Sequence, residues 1–502
     1  MELTKDYPFH VNYFRNSFVI KLVANCMASF SALTAQASQD IHNKPNIVII
    51  VADDLGWNDV GYHGSEIKTP NIDRLAKEGI ELNRFYSCPV SSPTRAGLLT
   101  GRYPIRYGLM RSAIAWWDSF GLSIDEVLIP QVLAEAGYKN RGIIGKWHLG
   151  HSDLKYHPLR RGFNYFYGHY NGAIDYFTHE RDGELDWHRN YESCYDKGYS
   201  TDLIAGEAAK YIEQKASEGP FFCYIPFNAP HDPLMAPDKY MEQYQYLQDP
   251  KDQNAKQIYA AMVTCMDDGI GQIISSIDRA GITDNTIVLF FSDNGATGRG
   301  SSNVPLRDFK SNVFEGGIRV PAIIRWPAKL KGGRKVETNI AYIDIFPTII
   351  RILDIPYHGG KPFDGIDVYD ILSGKNSSLN REIFSYNAND GDVDERIALS
   401  DSRWKLICFG PNIADDQYDD SSLTKLLFRI DQDPNETSNI WSNNRKIGNK
   451  MYERLKEYRA LQVKDRVLPW NVGRRNFKPP KGYPPKEWNM ELYPKEIENV
   501  NR

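Results

Sequence analysis

Four stretches of this chain share one pattern: a run of aliphatic, β-branched or aromatic residues without polar alternation, stopping abruptly at polar ones. Asn46–Ala52 stops at Asp53-Asp54, Arg141–Gly145 at Lys146-Trp147-His148, Phe221–Phe227 at Asn228-Ala229-Pro230-His231, and Thr286–Ser292 at Asp293-Asn294-Gly295. Runs without alternation mark strands buried on both faces, as in a parallel sheet. Between them, Ile124–Ala136, Thr201–Ala216 and Asn254–Ala280 carry apolar residues at helical spacing, the first closing at Gly137 and the last at Gly281. Strands alternating with helices predict a doubly wound α/β sheet, which binds ligands beyond the carboxyl ends of its strands. The four polar clusters are therefore expected to converge on one crevice.

Near residues 356–378 the texture changes to Gly, Pro, Asn and Ser, which places a boundary there. Beyond it, Arg381–Tyr386, Arg396–Ser400, Trp404–Phe409 and Lys425–Ile430 read as short strands joined by polar turns, and Trp441–Gln462 as one amphipathic helix. The expectation is a smaller α+β subdomain with an antiparallel sheet, over 380–502. Its tail from Val467, rich in Pro, Trp and Tyr, is expected to lie extended along the surface of one domain.

At 502 residues the chain can bury a large core, and two domains are the first expectation. A net charge of −4, with 25% charged residues and no basic stripe, gives no reason to expect a nucleic acid partner. At the N-terminus Arg15 and Lys21 precede a small-residue apolar run from Leu22 to Ala35, and Ala35-Gln36-Ala37 has the form of a cleavage site. Residues 1–37 thus read as an export signal, which for a bacterial protein implies the periplasm. A surface lipoprotein through Cys26 is the poorer reading, because Asn25 is bulky for the position before a modified cysteine. No other window has the apolar length of a membrane span. Of six cysteines, five lie beyond this leader without Cys-x-x-Cys spacing, which argues against a disulfide framework or a zinc site.

Asp53, Asp54, Asp293 and Asn294 are hard oxygen donors at strand ends. Brought together they would repel one another without a cation, and an all-oxygen set suits Ca²⁺ or Mg²⁺ better than zinc. Alone, Asp-Asp after a strand is more often a helix cap or a solvated turn. The segment Cys88-Pro89-Val90-Ser91-Ser92-Pro93-Thr94-Arg95-Ala96-Gly97-Leu98-Leu99-Thr100-Gly101-Arg102 runs small polar residues into a helical pattern. Pro93 suits a first helical position, which would put Ser91 just before a helix N-terminus, where unpaired N–H groups favour an anion.

Ser91-x-Pro93-x-Arg95 followed by Leu98-Leu99-Thr100-Gly101-Arg102 resembles the signature of the type I sulfatases, members of the alkaline phosphatase superfamily. Gly145-Lys146-Trp147-His148-Leu149-Gly150, Pro230-His231, Ser292-Asp293-Asn294-Gly295, and Lys310 followed by Glu315-Gly316-Gly317 resemble further segments of that family, in family order over residues 44 to 370. The resemblance implies an alkaline-phosphatase-like sandwich in 44–370 and an enzyme that hydrolyses sulfate monoesters. It implies that Ser91 is oxidised to Cα-formylglycine, that Asp53, Asp54, Asp293, Asn294 and position 91 bind one Ca²⁺, and that Arg95, Lys146 and Lys310 neutralise the sulfate. One hydroxyl of the hydrated aldehyde would attack sulfur, with His231 and Lys310 at the leaving oxygen. His148 would deprotonate the second hydroxyl, expelling sulfate and regenerating the aldehyde. A serine-type site further implies an anaerobic radical sulfatase-maturing enzyme as partner.

The segment from His169 to His188 is dense in aromatic, acidic and histidine residues. That mixture suits a sugar, with a ring face on an aromatic and hydroxyls on Asp and His; it equally suits a loop with a small core of its own. Its likeness to N-acetylgalactosamine-4-sulfatase-like enzymes favours a galactose or N-acetylgalactosamine sulfate, with Asp175, His179 and His188 as sugar contacts. Two alternatives stand beside this reading: a phosphatase or phosphonate hydrolase of the same superfamily using unmodified Ser91, and a non-catalytic protein that binds sulfated glycans.

Overall fold

The four unalternated runs lie side by side. In the computed structural model, which describes residues 44–357, 360–414, 420–470 and 472, Thr286–Ser292, Asn46–Ala52, Phe221–Pro226 and Asn140–Lys146 are consecutive parallel strands. They form the centre of a ten-stranded sheet, flanked by parallel Tyr165–His169 on one side and antiparallel Ala322–Arg325 on the other. Every residue of Asn46–Ala52 and of Thr286–Ser292 is buried, the condition that unalternated strands meet. The expected leader, residues 1–37, and the end of the tail lie outside the described residues.

Each face of the sheet builds a core. On one, Ser200–Lys215, Ala255–Arg279 and Pro70–Glu78 pack their apolar sides. On the other, Ser91–Thr100 and Ile345–Leu353 pack together with residues of the C-terminal sheet, including Ile383, Phe384 and Leu406. Ser200–Lys215 and Ala255–Arg279 start and end within a residue of expectation, whereas the helix expected over Trp441–Gln462 is confined to Arg445–Arg459. The helix expected from Ile124 starts only at Ile129. Pro130 has no N–H to give the carbonyl of Glu126, and the Arg161 guanidinium takes that oxygen at 3.0 Å instead.

The C-terminal sheet has four antiparallel strands, Ile383–Asn387, Glu395–Ser400, Trp404–Gly410 and Thr424–Arg429. The helix Arg445–Arg459 lies against it, and buried Arg459 donates to Glu395 at 2.5 Å. Only the first residues of the tail, 467–470 and 472, are among those described, and they touch two regions. Val467 is buried and its N–H donates to the Gly108 carbonyl, while the Trp470 N–H donates to the Asn389 carbonyl. The segment therefore ties the loop after the Ser91 helix to the C-terminal sheet.

A buried ion cluster fixes the C-terminal sheet to the segment around Glu315. Lys405, on the third strand of the small sheet, lies 2.8 Å from both Glu315 and Glu436, and all three side chains are fully buried. The Glu436 carboxylate also accepts the Glu315 backbone N–H at 2.7 Å. Burial pushes the Glu436 carboxyl up to about 7 despite Lys405. Lys405→Met would leave two carboxylates facing each other without their cation, and a buried charge stripped of its partner costs about 3–5 kcal/mol. A carboxyl raised on folding favours the folded state only while protonated. The loss of stability, read from urea unfolding midpoints, is therefore expected to be larger at pH 8 than at pH 5; an equal loss at both would contradict this account of the cluster.

Candidate active site

Strand register brings the predicted residues together. Ala52 pairs with Ser292 and Val51 with Pro226, so three strands end at one level. Just past those ends, the Asp53 N–H donates to the Ala229 carbonyl and the Asp293 N–H to the Ala52 carbonyl, both at 3.0 Å. Asp54 follows at φ 66°, a sharp reversal that turns its carboxylate back toward Asp293, whose Oδ1 accepts the Asp54 N–H at 3.2 Å. Asn294 donates from Nδ2 to Asp54 Oδ1 at 2.6 Å.

Ser91 arrives from the helix Ser91–Thr100, every residue of which is buried. The helix begins at Ser91 itself, two residues before the expected start at Pro93. A proline is tolerated there because N–H groups of the first turn have no intrahelical acceptor. Thr94 in turn accepts the Cys88 N–H at 2.8 Å, closing the approach to the helix. Gly97 lets the helix lie close to its neighbour: an added Cβ would sit 2.0 Å from a Tyr342 ring carbon. These contacts hold Ser91 Oγ 3.1 Å from Asp53 Oδ1.

The cations surround the carboxylates. Arg95 donates to Asp293 Oδ2 from Nε and Nη2 at 3.1 and 2.8 Å, and Lys146 Nζ lies 2.5 Å from Asp53 Oδ2. Lys310 Nζ lies 2.7 Å from Asp54 Oδ1, and His231 Nε2 is 3.6 Å from Asp54 Oδ2. Burial alone would raise the Asp53 carboxyl, but Lys146, His231 and Arg95 outweigh it and hold the group below its ordinary value. Asp54 is held low in the same way by Lys310 and His231. Burial pushes the Lys146 ammonium down to about 8 against the pull of Asp53.

The histidines have fixed tautomers. A carbonyl oxygen only accepts, so His148 must carry a proton on Nε2, which lies 2.9 Å from the Ile114 carbonyl. Its buried Nδ1 has no partner among the described residues. Burial, with Lys146 and Arg95 nearby, holds its pKa well below the ordinary value, so the ring is neutral and Nδ1 is a base. His231 donates from Nδ1 to the Asp232 carbonyl at 2.5 Å, which leaves Nε2 as its exchangeable position.

The donor set fits a hard cation. Asp53, Asp54 and Asp293 supply carboxylate oxygens, and buried Asn294 Oδ1 has no hydrogen-bond partner among the described residues. A buried acceptor left unpaired is costly, and ligation of a metal by this oxygen would remove the cost. Ligand atoms of Asp53, Asp54 and His231 also lie within 4.8 Å of one another.

Above these groups is a cavity of about 280 Å³, with Ser91, His148, His231 and Lys310 in its wall. Asp175, His179 and His188 do not line it, which corrects their assignment as sugar contacts. His188 is buried, paired with Asp186 at 3.0 Å and stacked on Tyr170, and His179 is buried and stacked on Trp187. Asp175 caps a turn, accepting the N–H groups of Phe177 and Thr178. The segment thus has a small core of its own, and presents Asn171 and Arg181 to the cavity instead. Trp116, Asn389 and Trp470 complete the outer wall. The paired Trp116-Trp117, between Ala115 and Asp118, is a sequence signal for the first of these three.

Comparison with known proteins places the chain in a family. The family model described as Sulfatase matches residues 45–355, and the model of the N-sulphoglucosamine sulphohydrolase C-terminal region matches 308–461. Arylsulfatase J of Mus musculus is 31% identical over 469 residues, covering 85% of this chain and 78% of its own. N-acetylgalactosamine-6-sulfatase of Homo sapiens is 30% identical, covering 78% of this chain and 80% of its own. The crystal structure of Ps i-CgsB in complex with k-i-k-neocarrahexaose superposes with a TM-score of 0.76 at 27% identity, covering 91% of this chain and all of that one. A family match over the strands that carry the aspartates, joined by relatives at this identity over most of both chains, makes this chain a member of the sulfatase family, a sulfuric ester hydrolase.

Proposed function

We propose that this chain hydrolyses sulfate monoesters on a carbohydrate, a galactose or N-acetylgalactosamine sulfate, using a formylglycine made from Ser91 and one calcium ion. The observation that carries this reading is Ser91 Oγ, 3.1 Å from Asp53 in a buried cluster of three carboxylates and three cations that opens into a cavity. When present, hydrated formylglycine supplies a hydroxyl nucleophile at position 91 and calcium supplies positive charge for the sulfate oxygens. Asp53, Asp54, Asp293 and Asn294 would hold the ion.

The chain's own residues do the rest. Lys146, Lys310 and Arg95 neutralise the anion in a site with little water, where charges act strongly. His148 holds a proton on Nε2 against Ile114 and takes one on Nδ1. His231, oriented by the Asp232 carbonyl, gives the departing oxygen a proton from Nε2 when its ring is doubly protonated, and is left neutral with its remaining proton on Nδ1. Trp116 and Trp470 in the cavity wall favour a sugar ring over a small inorganic ester. The carbohydrate class is supported by the relative named for N-acetylgalactosamine 6-sulfate and by the neighbour solved with an oligosaccharide.

Sulfate release from the 4- and 6-sulfates of galactose and N-acetylgalactosamine tests the reading. Protein co-produced with a radical maturase is expected to turn over at least one of them, and protein made without it to show almost none; equal activity from both preparations would refute the formylglycine route. His148→Ala in the matured enzyme is expected to lower kcat by about 10²- to 10⁴-fold, as for loss of a general base, with calcium binding unchanged. Calorimetric titration of metal-free protein should give one calcium site, which Asn294→Ala weakens by roughly an order of magnitude through the loss of one oxygen ligand. Tight stoichiometric zinc in place of calcium would overturn that part.

A further inference from the structure

The cavity that holds Ser91 has a neighbour. A second cavity of about 250 Å³ adjoins it, and Ser311, Asn389 and Trp470 belong to the walls of both. The remaining wall is entirely polar: Asn387, Asp390, Asp394 and Arg396, all from the first two strands of the C-terminal sheet and the turn between them.

The shared partition is braced. The Trp470 backbone N–H donates to the Asn389 carbonyl at 2.9 Å, and its ring packs edge-on against Trp117 with centroids 5.4 Å apart. The Asn389 side chain donates to Ser311 Oγ at 3.3 Å, and Arg396 donates to the Ser311 carbonyl at 3.1 Å. An aromatic plate held this way between two cavities is suited to rest against sugar rings, whose C–H faces are apolar. The two cavities differ in charge. Lys310 and Arg181 face the first, above a buried cluster in which Asp53, Asp54 and Asp293 are matched by Arg95, Lys146 and Lys310. The second has two carboxylates against one guanidinium, with Arg396 3.8 Å from Asp394. Such a wall accepts hydrogen bonds from hydroxyls and repels a sulfate or a carboxylate.

We propose that this second cavity is a subsite for the neutral sugar joined to the sulfated one, so that the substrate is at least a disaccharide whose second ring carries no anionic group. This rests on the carbohydrate reading above. It assigns a positioning task to the C-terminal sheet and the tail: the sulfated ring enters the Ser91 cavity while its neighbour is held across Trp470.

Calorimetry on unmodified Ser91 protein, expected to bind without turnover, tests it. The probes are the 4- and 6-sulfates of galactose and N-acetylgalactosamine, the disaccharides joining each to an unsulfated galactose, and the same disaccharides sulfated on both rings. For the sugar that binds, the disaccharide with a neutral second ring is expected to bind about tenfold or more tightly than the monosaccharide, and the doubly sulfated one to lose that gain. The double variant Asp390→Ala/Asp394→Ala should abolish the gain while leaving the monosaccharide Kd unchanged, since neither residue lines the first cavity. Equal affinity for mono- and disaccharide in the wild-type protein would overturn the subsite alone, and so would a double variant that keeps the gain. Failure of every sulfated sugar to bind would overturn the carbohydrate reading and the subsite with it. The wild-type comparison decides the question even where the double variant does not fold.

Discussion

Everything in this structure is arranged around a charge problem at the ends of three parallel strands. Asp53, Asp54 and Asp293 are buried within hydrogen-bond reach of one another's neighbours, where uncompensated carboxylates would be prohibitively expensive. Arg95, Lys146 and Lys310 resolve it, each brought from a different element: the Ser91 helix, the end of the strand Asn140–Lys146, and the loop before Glu315. Because each cation is held by a carboxylate on another strand, the site and the sheet register depend on each other. A slip of one residue between Asn46–Ala52 and Thr286–Ser292 would send Asp293 to the opposite face. The same arrangement that neutralises the carboxylates lines up positive charge toward an incoming sulfate.

The C-terminal sheet takes part in this site without contributing to the charge cluster. Lys405 clamps Glu315, a few residues beyond Lys310, and so steadies the loop that delivers that lysine. Arg396 and Asn389 hold Ser311, the residue directly after it. A small sheet with its own hairpins thereby becomes the outer wall of a cavity whose floor belongs to the large sheet. The shared core, one apolar cluster that includes Leu98 and Leu99 of the Ser91 helix together with Phe384 and Leu406 of the small sheet, joins the two parts.

The parallel strands were legible because burial on both faces leaves an unbroken apolar run, and the polar residues that end each run sit where strand ends must converge. Lys146, His148 and His231 lie at or just past such ends, whereas Ser91 and Arg95 on their helix and Lys310 in its loop were legible only through short strings that resemble the sulfatase family. Asn389 and Trp470 were not. They reach the cavity through contacts between segments far apart in sequence, such as the Trp470 N–H on the Asn389 carbonyl, and no local pattern encodes such a pairing. The segment from His169 to His188 misled in an instructive way. Its aromatics and histidines stack on one another, with Asp186 accepting from the Tyr170 and Asn171 N–H groups and from His188. Composition cannot tell such a self-satisfied polar core from a sugar-binding surface, because both need aromatic faces beside hydrogen-bonding groups.

The claim on which the whole reading turns is that position 91, not merely its surroundings, is the reactive centre, and that serine is only its precursor. Mass spectrometry of the peptide containing Ser91, taken from enzyme with measured sulfatase activity, tests this most directly. The account predicts a peptide lighter by about two hydrogens, the difference between a primary alcohol and its aldehyde, in proportion to activity across preparations. An intact serine at position 91 in fully active enzyme would contradict it.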